Sequence, residues 1–244
     1  MVDLNGLVVN VLGPGELVDA LLQACALPRE QPLRAAYWNA HTCNLAWRDG
    51  AFRDLMHRQD IRYPDGMSVV RALRRRGCAH AARASAADFL PVAVQACAAR
   101  GLRMGFLGGQ PGVANRCAAR FDEVLPANPV VFAPHGYFRP GSPDEVAAVR
   151  AAREAGVHLL LVGMGSPRQE RFIIDQGAAT GARALWAVGA LFEYHGGERA
   201  RAPLWMRRAG LEWAFRLALE PRRLAGRYLL GNAEFLLRAR RRAR

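Results

Sequence analysis

The chain has 244 residues, of which 51% are hydrophobic, enough for one sizeable α/β domain with an appendage or for two small domains, and too many for a disordered protein. Its formal net charge is +13, and because the sequence has no lysine, all 34 basic residues are arginines. No apolar run approaches the roughly 20 residues of a membrane-spanning helix, which excludes an integral membrane protein.

The start of the chain and the cysteines point to a reducing compartment. The first six residues have no basic start and are interrupted by Asp3, so we expect no signal peptide. The five cysteines are scattered, without a CxxC pair or a His/Cys cluster at metal-ligand spacing. This pattern is typical of buried or free thiols and predicts no metal site.

Short apolar runs alternate with helical patterns up to about residue 190. The candidate strands are Leu7–Leu12, Leu33–Trp38, Leu102–Leu107, Pro129–Ala133, Val157–Gly163 and Ala184–Val188. The candidate helices are Gly15–Ala26, Cys43–Gln59, Gly66–Arg75, Ala86–Ala99, Gly112–Val124, Ser142–Glu154 and Pro167–Ala178. Thr42 and Ser142 are candidate N-caps. The alternation predicts an α/β fold with a doubly wound, mostly parallel sheet and ligands at the carboxyl ends of its strands.

The character of the sequence changes near its end. Residues 199–244 contain 13 arginines against three acids, so most of the net positive charge lies there. One helix is predicted over about 201–219 and a second from about Arg222 to the end, each with an apolar face. We therefore predict an α/β domain, 1–198, followed by a basic amphipathic helical appendage whose partner is anionic: a membrane, a diphosphate or a nucleic acid.

Two glycine-rich turns follow predicted strands. In the first, Gly108 and Gly109 precede a helix, an arrangement that lets backbone N–H groups approach a diphosphate, although a tight turn without a ligand explains it equally well. In the second, Gly165 and Ser166 precede a helix that carries Arg168 in its first turn, where a cation opposes the helix dipole. A nearby anion would offset that cost. The alternative is an ordinary Ser166 cap, with Glu170 balancing Arg168.

Two further segments carry compact polar side chains. Thr42 and Asn44 follow a predicted strand and are able to hydrogen-bond sugar hydroxyls. Asp65 lies between Pro64 and Gly66, where it could project into a cleft, although Asp-Gly is also a common turn sequence. No DxD-type carboxylate pair, GxSxG elbow, HExxH or kinase signature occurs, so arginines and helix termini would have to stabilise a leaving diphosphate.

Seven blocks of the sequence, in order and at compatible spacing, carry a family resemblance. They are Asn39-x-x-Thr42-x-Asn44, Pro64-Asp65-Gly66, Phe106-Leu107-Gly108-Gly109-x-Pro111-Gly112, Gly163-x-Gly165-Ser166-Pro167-Arg168-Gln169-Glu170, Arg201-Ala202-Pro203-x-Trp205-Met206, Gly210-Leu211-Glu212-Trp213-x-x-Arg216-Leu217 and Glu220-Pro221-x-Arg223-Leu224. Over nearly the whole chain, the sequence resembles the WecG/TagA/CpsF family of bacterial glycosyltransferases.

The resemblance implies an activity and its partners. Such enzymes move a sugar from a UDP-sugar to an undecaprenyl-diphosphate-linked saccharide, with inversion, in surface polysaccharide or wall polymer synthesis. It implies no cofactor and a peripheral location on the cytoplasmic face of the membrane, where the appendage docks on anionic lipid and completes the site. The oligomeric state, a homo-oligomer included, is left open.

The resemblance also assigns roles to residues. It makes Asp65 the catalytic base. The substrate contacts that it implies involve Thr42, Asn44, Arg83, Gln169, Glu193, Arg216, Arg223 and Arg227. Two positions depart from the pattern. The Thr-Gly usual near Arg83 is missing, and Glu193 stands where an Asp is usual near the uracil end.

Two other functions compete with this interpretation. The sequence pI of about 10.9 would suit a nucleic-acid-binding protein, but aromatic residues are few and no nucleic-acid-binding module is recognised. A nucleotide-sugar enzyme of another class, such as an epimerase, is the second. The absence of a GxGxxG fingerprint disfavours its NAD-dependent form.

Overall fold

The computed structural model describes residues 1–28 and 30–240. Its strands are β1 (Val2–Asp3), β2 (Val8–Val9), β3 (Leu33–Trp38), β4 (Ile61–Pro64), β5 (Met104–Gly108), β6 (Val130–Phe132), β7 (Leu159–Gly163) and β8 (Ala184–Ala187). β1 and β2 form a separate antiparallel pair. The other six form one parallel sheet in the order β4-β3-β8-β7-β5-β6.

Helices follow most of the strands and cover both faces of the sheet. They are α1 (Pro14–Ala26), α2 (Ala40–Arg48), α3 (Gly50–His57), α4 (Met67–Arg75), α5 (Ala86–Ala99), α6 (Val113–Asp122), α7 (Pro143–Glu154), α8 (Arg168–Asp175), α9 (Leu191–His195), α10 (Leu204–Ala209), α11 (Glu212–Leu219), α12 (Pro221–Ala225) and α13 (Gly231–Arg240). A 3₁₀ turn at Ala178–Thr180 and a π-helical turn at Gly226–Leu230 complete them.

The core consists of two apolar layers, one on each face of the sheet. Helices α1, α5, α6 and α9 pack on one face, and α2, α3, α4, α7, α8 and α13 pack on the other. β7 and β8 are buried along their whole length because both faces are covered. The prediction of a doubly wound, mostly parallel α/β fold is therefore confirmed.

Two strands differ from the sequence prediction. The apolar run over 7–12 contributes only the two residues of β2, which pair with β1 outside the main sheet. Conversely, β4 was missed because it is four residues long and ends in Pro64. Proline removes a backbone donor, and β4 accommodates it because it lies at the edge of the sheet.

Two helix assignments also need correction. The helix predicted over 43–59 is divided at Asp49, whose side chain accepts a hydrogen bond from the Phe52 backbone N–H at 3.2 Å and so starts α3. The cap of α2 is Asn39 and not Thr42. The Asn39 side chain accepts from the Thr42 N–H at 3.0 Å, while the Thr42 hydroxyl accepts from the Asn39 N–H at 2.9 Å. Ser142 caps α7 as predicted.

The C-terminal segment, described over residues 199–240, folds as short helices against the α/β body. The helix predicted over 201–219 is divided at Gly210, whose positive φ of 74° is left-handed and ends α10. α13 lies on α2, where Phe235 stacks on Trp47 with 5.7 Å between ring centroids. The predicted helical residues 241–244 lie outside the described residues. The division at residue 198 stays a prediction.

Candidate active site

A cleft of about 280 Å³ opens at the carboxyl edge of the sheet. The loops after all six parallel strands line it, as expected of a doubly wound fold. The C-terminal segment closes the remaining side with Arg216, Arg223 and Arg227. Residues far apart in sequence therefore meet here.

Asp65 enters the cleft from the loop directly after β4. Its backbone N–H donates to the Trp38 carbonyl at 2.9 Å, and a Cβ on Gly66 would come within 3.2 Å of the Asn39 Cβ, so the loop packs closely on the start of α2. Burial raises the pKa of the Asp65 carboxyl to about 7. Arg83 and Arg216 act against this rise, and Glu212 adds to it.

A second cavity, of about 170 Å³, adjoins the first at Asp65. Both cavities are lined by Asn39, His41, Asp65, Tyr194, Arg216 and Arg227. The second also receives Arg83, together with Glu212, Trp213 and Tyr228 from the C-terminal segment. Asp65 thus lies where the two cavities meet.

The two glycine-rich turns contact each other beneath the cleft. The Gly109 N–H donates to the Gly163 carbonyl at 3.1 Å, and a Cβ on Gly108 would collide with that carbonyl. Gly108 has a positive φ of 153° and Gly165 one of 76°. Gly109, Gly165 and Ser166 line the cleft, whereas Gly108 supports the floor behind it. Gly108 is needed for this close backbone approach, and Gly165 for its left-handed conformation, whether or not a diphosphate binds.

Arg168 lines the cleft but is also bound to the protein. Its Nη2 donates to the carbonyls of Gly136 at 3.1 Å and Phe138 at 2.8 Å. Carbonyl oxygens thus offset the cost of an arginine in the first turn of α8. Ser166 is not the cap of α8, because its hydroxyl donates to the Glu170 carboxylate at 2.7 Å.

Three predicted substrate contacts lie away from both cavities. Gln169 is fully buried; its Nε2 donates to the Tyr37 hydroxyl at 3.2 Å, and its Oε1 accepts from the Gly189 N–H at 3.0 Å. Thr42 is engaged in the α2 cap, and the Asn44 Nδ2 donates to the Gly231 carbonyl at 2.6 Å. Gln169 therefore joins strand-end loops, and Asn44 joins α2 to the C-terminal segment. Their contact with substrate stays a prediction.

The first cavity is strongly basic. It is lined by five arginines, Arg168, Arg199, Arg216, Arg223 and Arg227, against the two carboxylates Asp65 and Glu193. Glu193 pairs with Arg199 at 2.8 Å, and Arg223 pairs with Glu220 at 2.5 Å. The excess of guanidinium groups suits a diphosphate, to which arginine donates two parallel hydrogen bonds.

Sequence reasoning missed three groups in the site. Tyr194 lies beneath the guanidinium of Arg216, which is 5.6 Å from its ring centroid, and beneath that of Arg201 at 5.8 Å. Its place directly after Glu193 was the available signal. His41 has its pKa lowered to about 4 by burial and by Arg227 and Arg48, so it is neutral at physiological pH. Glu212, in the sixth block of the resemblance, binds Arg83.

Within 1–28 and 30–240, no group of three or more His, Cys, Asp or Glu side chains is placed to hold a metal ion. Over the same residues, no helix has the length and apolar character needed to cross a bilayer.

Comparison with known families gives a match over nearly the whole chain. The sequence model described as "Glycosyl transferase WecG/TagA/CpsF family" matches residues 2–244. The match includes both the α/β body and the C-terminal segment that together line the cleft. It confirms the resemblance inferred from the seven blocks.

Proposed function

The chain belongs to the WecG/TagA/CpsF family of glycosyltransferases, and on that premise we propose that it moves a sugar from a UDP-sugar to an undecaprenyl-diphosphate-linked saccharide, with inversion, in surface polysaccharide or wall polymer synthesis. A nucleotide-sugar donor and a saccharide acceptor follow from the family. The observation that carries the finer proposal is the Asp65 carboxyl, with its pKa raised to about 7, between an arginine-rich cavity and a second cavity.

In the proposed reaction, the donor diphosphate binds in the arginine-rich cavity and the acceptor sugar in the second. The acceptor hydroxyl oxygen attacks the anomeric carbon, its proton passes to Asp65, and the bond to the diphosphate oxygen breaks on the opposite face. Arg216, Arg223 and Arg227 stabilise the charge that develops on the leaving UDP. A carboxylate whose pKa is near 7 is a better proton acceptor than an ordinary aspartate and is still ionised above neutrality.

We further propose that the protein works at the inner face of the cytoplasmic membrane. Of the sixteen large hydrophobic side chains that are exposed in the described residues, nine lie between Leu204 and Leu237. They lie within residues 199–244, which carry most of the chain's net positive charge. Apolar side chains flanked by arginines favour binding to an anionic lipid surface, which would also present a lipid-linked acceptor to the second cavity.

The decisive experiment is a transfer assay with a panel of UDP-sugars and a short-chain polyprenyl-diphosphate-sugar acceptor. We expect UDP release with at least one of UDP-N-acetylmannosamine, its uronic acid and UDP-glucose. NMR coupling constants of the product should show the opposite anomeric configuration to the donor. Asp65→Asn keeps the shape of the side chain but cannot accept the proton, so the rate should fall about 10²- to 10⁴-fold.

Two results would contradict the proposal. One is an Asp65→Asn enzyme with near-normal turnover. The other is a full-length protein that transfers no sugar from the panel but binds DNA in a salt-sensitive, sequence-independent way, because that outcome would favour a nucleic-acid partner for the arginines.

A further inference from the structure

Glu212 connects the C-terminal segment to the arginine next to the base. It is the first residue of α11, and its Oε2 accepts a hydrogen bond from the Arg83 Nη1 at 2.8 Å. The other Nη of Arg83 donates to the Asp88 carboxylate of α5 at 2.7 Å. Only 16% of each of the Arg83 and Glu212 side chains is exposed, so solvent screens this pair weakly.

The pair faces Asp65 across the second cavity, which Arg83, Glu212 and Asp65 line together. A positive charge beside a carboxylate favours its ionised form and weakens it as a base, and a nearby negative charge has the opposite effect. Arg83 therefore lowers the pKa of Asp65 and Glu212 raises it.

We propose that Glu212 is a positioning residue for the transfer reaction: it holds Arg83 in an ion pair and offsets the guanidinium charge that would otherwise weaken Asp65 as a proton acceptor. This inference rests on the proposed role of Asp65 as the base. It gives the C-terminal segment a second task beside stabilising the leaving group.

The geometry of α11 fits two tasks on one helix. Glu212 and Arg216 are four residues apart, so they lie on the same face, one turn from each other. Glu212 contacts Arg83, while Arg216 stacks on Tyr194 and lines both cavities. When α11 is docked, it supplies an anion beside the base and a cation beside the leaving group.

The titratable and charged groups around Asp65 come from several elements. They are Tyr37 of β3, His41 of α2, Tyr63 of β4, Arg71 of α4, Arg83 before α5, Glu193 and Tyr194 of α9, Glu212 and Arg216 of α11, and Arg227 and Tyr228 of the π-helical turn. Ser85 adds a side-chain hydrogen bond. Burial keeps Tyr37 and Tyr63 neutral, because it raises their pKa values. Glu193 is paired with Arg199, whereas Glu212 is the carboxylate that raises the pKa of Asp65, so removal of Glu212 tests the inference directly.

The test is the titration of the Asp65 side-chain carboxyl, followed by ¹³C NMR in the full-length protein and assigned with Asp65→Asn. In Glu212→Gln, which keeps an acceptor for Arg83 but loses the charge, we expect the midpoint to fall by about one pH unit. The acid limb of kcat/KM should move down equally, and kcat on the plateau should fall about three- to tenfold. Glu212→Asp restores the charge, so its midpoint should lie close to that of the wild type.

Glu234→Gln is the matched control. It removes the same charge from the same segment, but Glu234 pairs with Arg48 and Arg238 and lines neither cavity. The midpoint of the Asp65 titration in Glu234→Gln should equal that in the wild type. An unchanged midpoint in folded Glu212→Gln, even with reduced activity or stability, overturns the inference. Because the titration needs no turnover, it decides the matter even if Asp65→Asn is active and the proposed function fails.

Discussion

The α/β body and the C-terminal segment are held together by different forces. In the body, β5, β7 and β8 are buried along their whole length between two helical layers. In the segment, α10 and α11 have no buried residue, and the buried side chains of α12 and α13 are Leu224 and Phe235. Apolar burial dominates folding free energy, so the body should be much the more stable of the two.

Ion pairs also attach the segment to the body. Asp88 of α5 accepts from Arg201 at 2.8 Å and from Arg207 at 2.6 Å, and Glu212 reaches Arg83. Yet this weakly buried segment carries Arg199, Arg216, Arg223 and Arg227, four of the five arginines of the first cavity. In the proposed mechanism, the body therefore supplies the fold and the base, and the segment supplies the charge that stabilises the leaving UDP.

The largest effect should come from removing the segment. If the chain is ended at Gly197, we expect the body to stay folded, since within the described part of the segment the buried apolar residues are only Ala202, Leu224 and Phe235. Transfer should fall at least about 10³-fold, because the arginines that stabilise the leaving UDP are lost. Circular dichroism, thermal unfolding and UDP release measure the two outcomes. An active truncated enzyme, or one that cannot fold, would break the comparison.

Arg216 should account for much of that loss by itself. Arg216→Gln should lower kcat about 10²-fold through lost electrostatic stabilisation, with little change in unfolding free energy. Arg208→Gln is the control, since Arg208 is an exposed arginine of the same segment that lines neither cavity. Equal activity of the two variants would mean that the total charge of the segment, and not the position of Arg216, is what matters.

The same difference between the body and the segment explains which strands and helices could be predicted from the sequence. Continuous apolar runs predict the buried strands of the body, and β3 has its predicted bounds, Leu33–Trp38. β4 was not predicted, because an edge strand of four residues that ends in proline has no continuous apolar run. In the segment, the left-handed Gly210 divides a run whose amphipathic pattern continues across it.

The site divides in a similar way. Asp65, Arg216, Arg223 and Arg227 could be named from the resemblance, and the structure brings all four to one cleft. The pairing of Glu212 with Arg83 could not be foreseen, because the two residues are 129 positions apart and meet only through the docking of α11. Nor could the burial of Gln169 and Asn44 be read from sequence, since their polarity favours a place in the cleft.

A smaller effect concerns the free energy of unfolding, which the ionisation of Asp65 lowers. The pKa of Asp65 is raised from 3.8 to about 7, so the folded protein keeps this proton to higher pH than the unfolded chain does. Ionisation of Asp65 therefore destabilises the fold progressively from about pH 4 to above pH 7. Asp65→Asn removes this cost, and at pH 8 it should stabilise the protein by up to about 4 kcal/mol, with little effect at pH 4.

Urea unfolding of both proteins at pH 4 and pH 8 measures this difference. Asp19→Asn makes the same substitution at an exposed position on α1 and serves as the control. If Asp65→Asn were no more stabilising at pH 8 than at pH 4, the carboxyl would not be perturbed in the folded protein. The argument for its strength as a base would then fail.

The smallest effect tests whether the segment is the membrane-binding face. Leu230 lies in the π-helical turn of the segment and is 74% exposed, whereas Leu27, which follows α1 on the body, is 71% exposed. Leu230→Ala should weaken sedimentation with vesicles of phosphatidylglycerol and phosphatidylcholine about fivefold, because it removes apolar area that would enter the lipid.

Leu27→Ala removes an equal side chain at an equal exposure, so it should leave vesicle binding unchanged. Raised salt should weaken the binding of both variants, since the arginines of the segment are screened at high ionic strength while apolar insertion is not. Equal binding by the two variants would show that lipid is held by charge alone, or elsewhere. Weaker binding by Leu230→Ala alone would instead place at the bilayer the same weakly buried segment that brings Glu212 and Arg216 to the site.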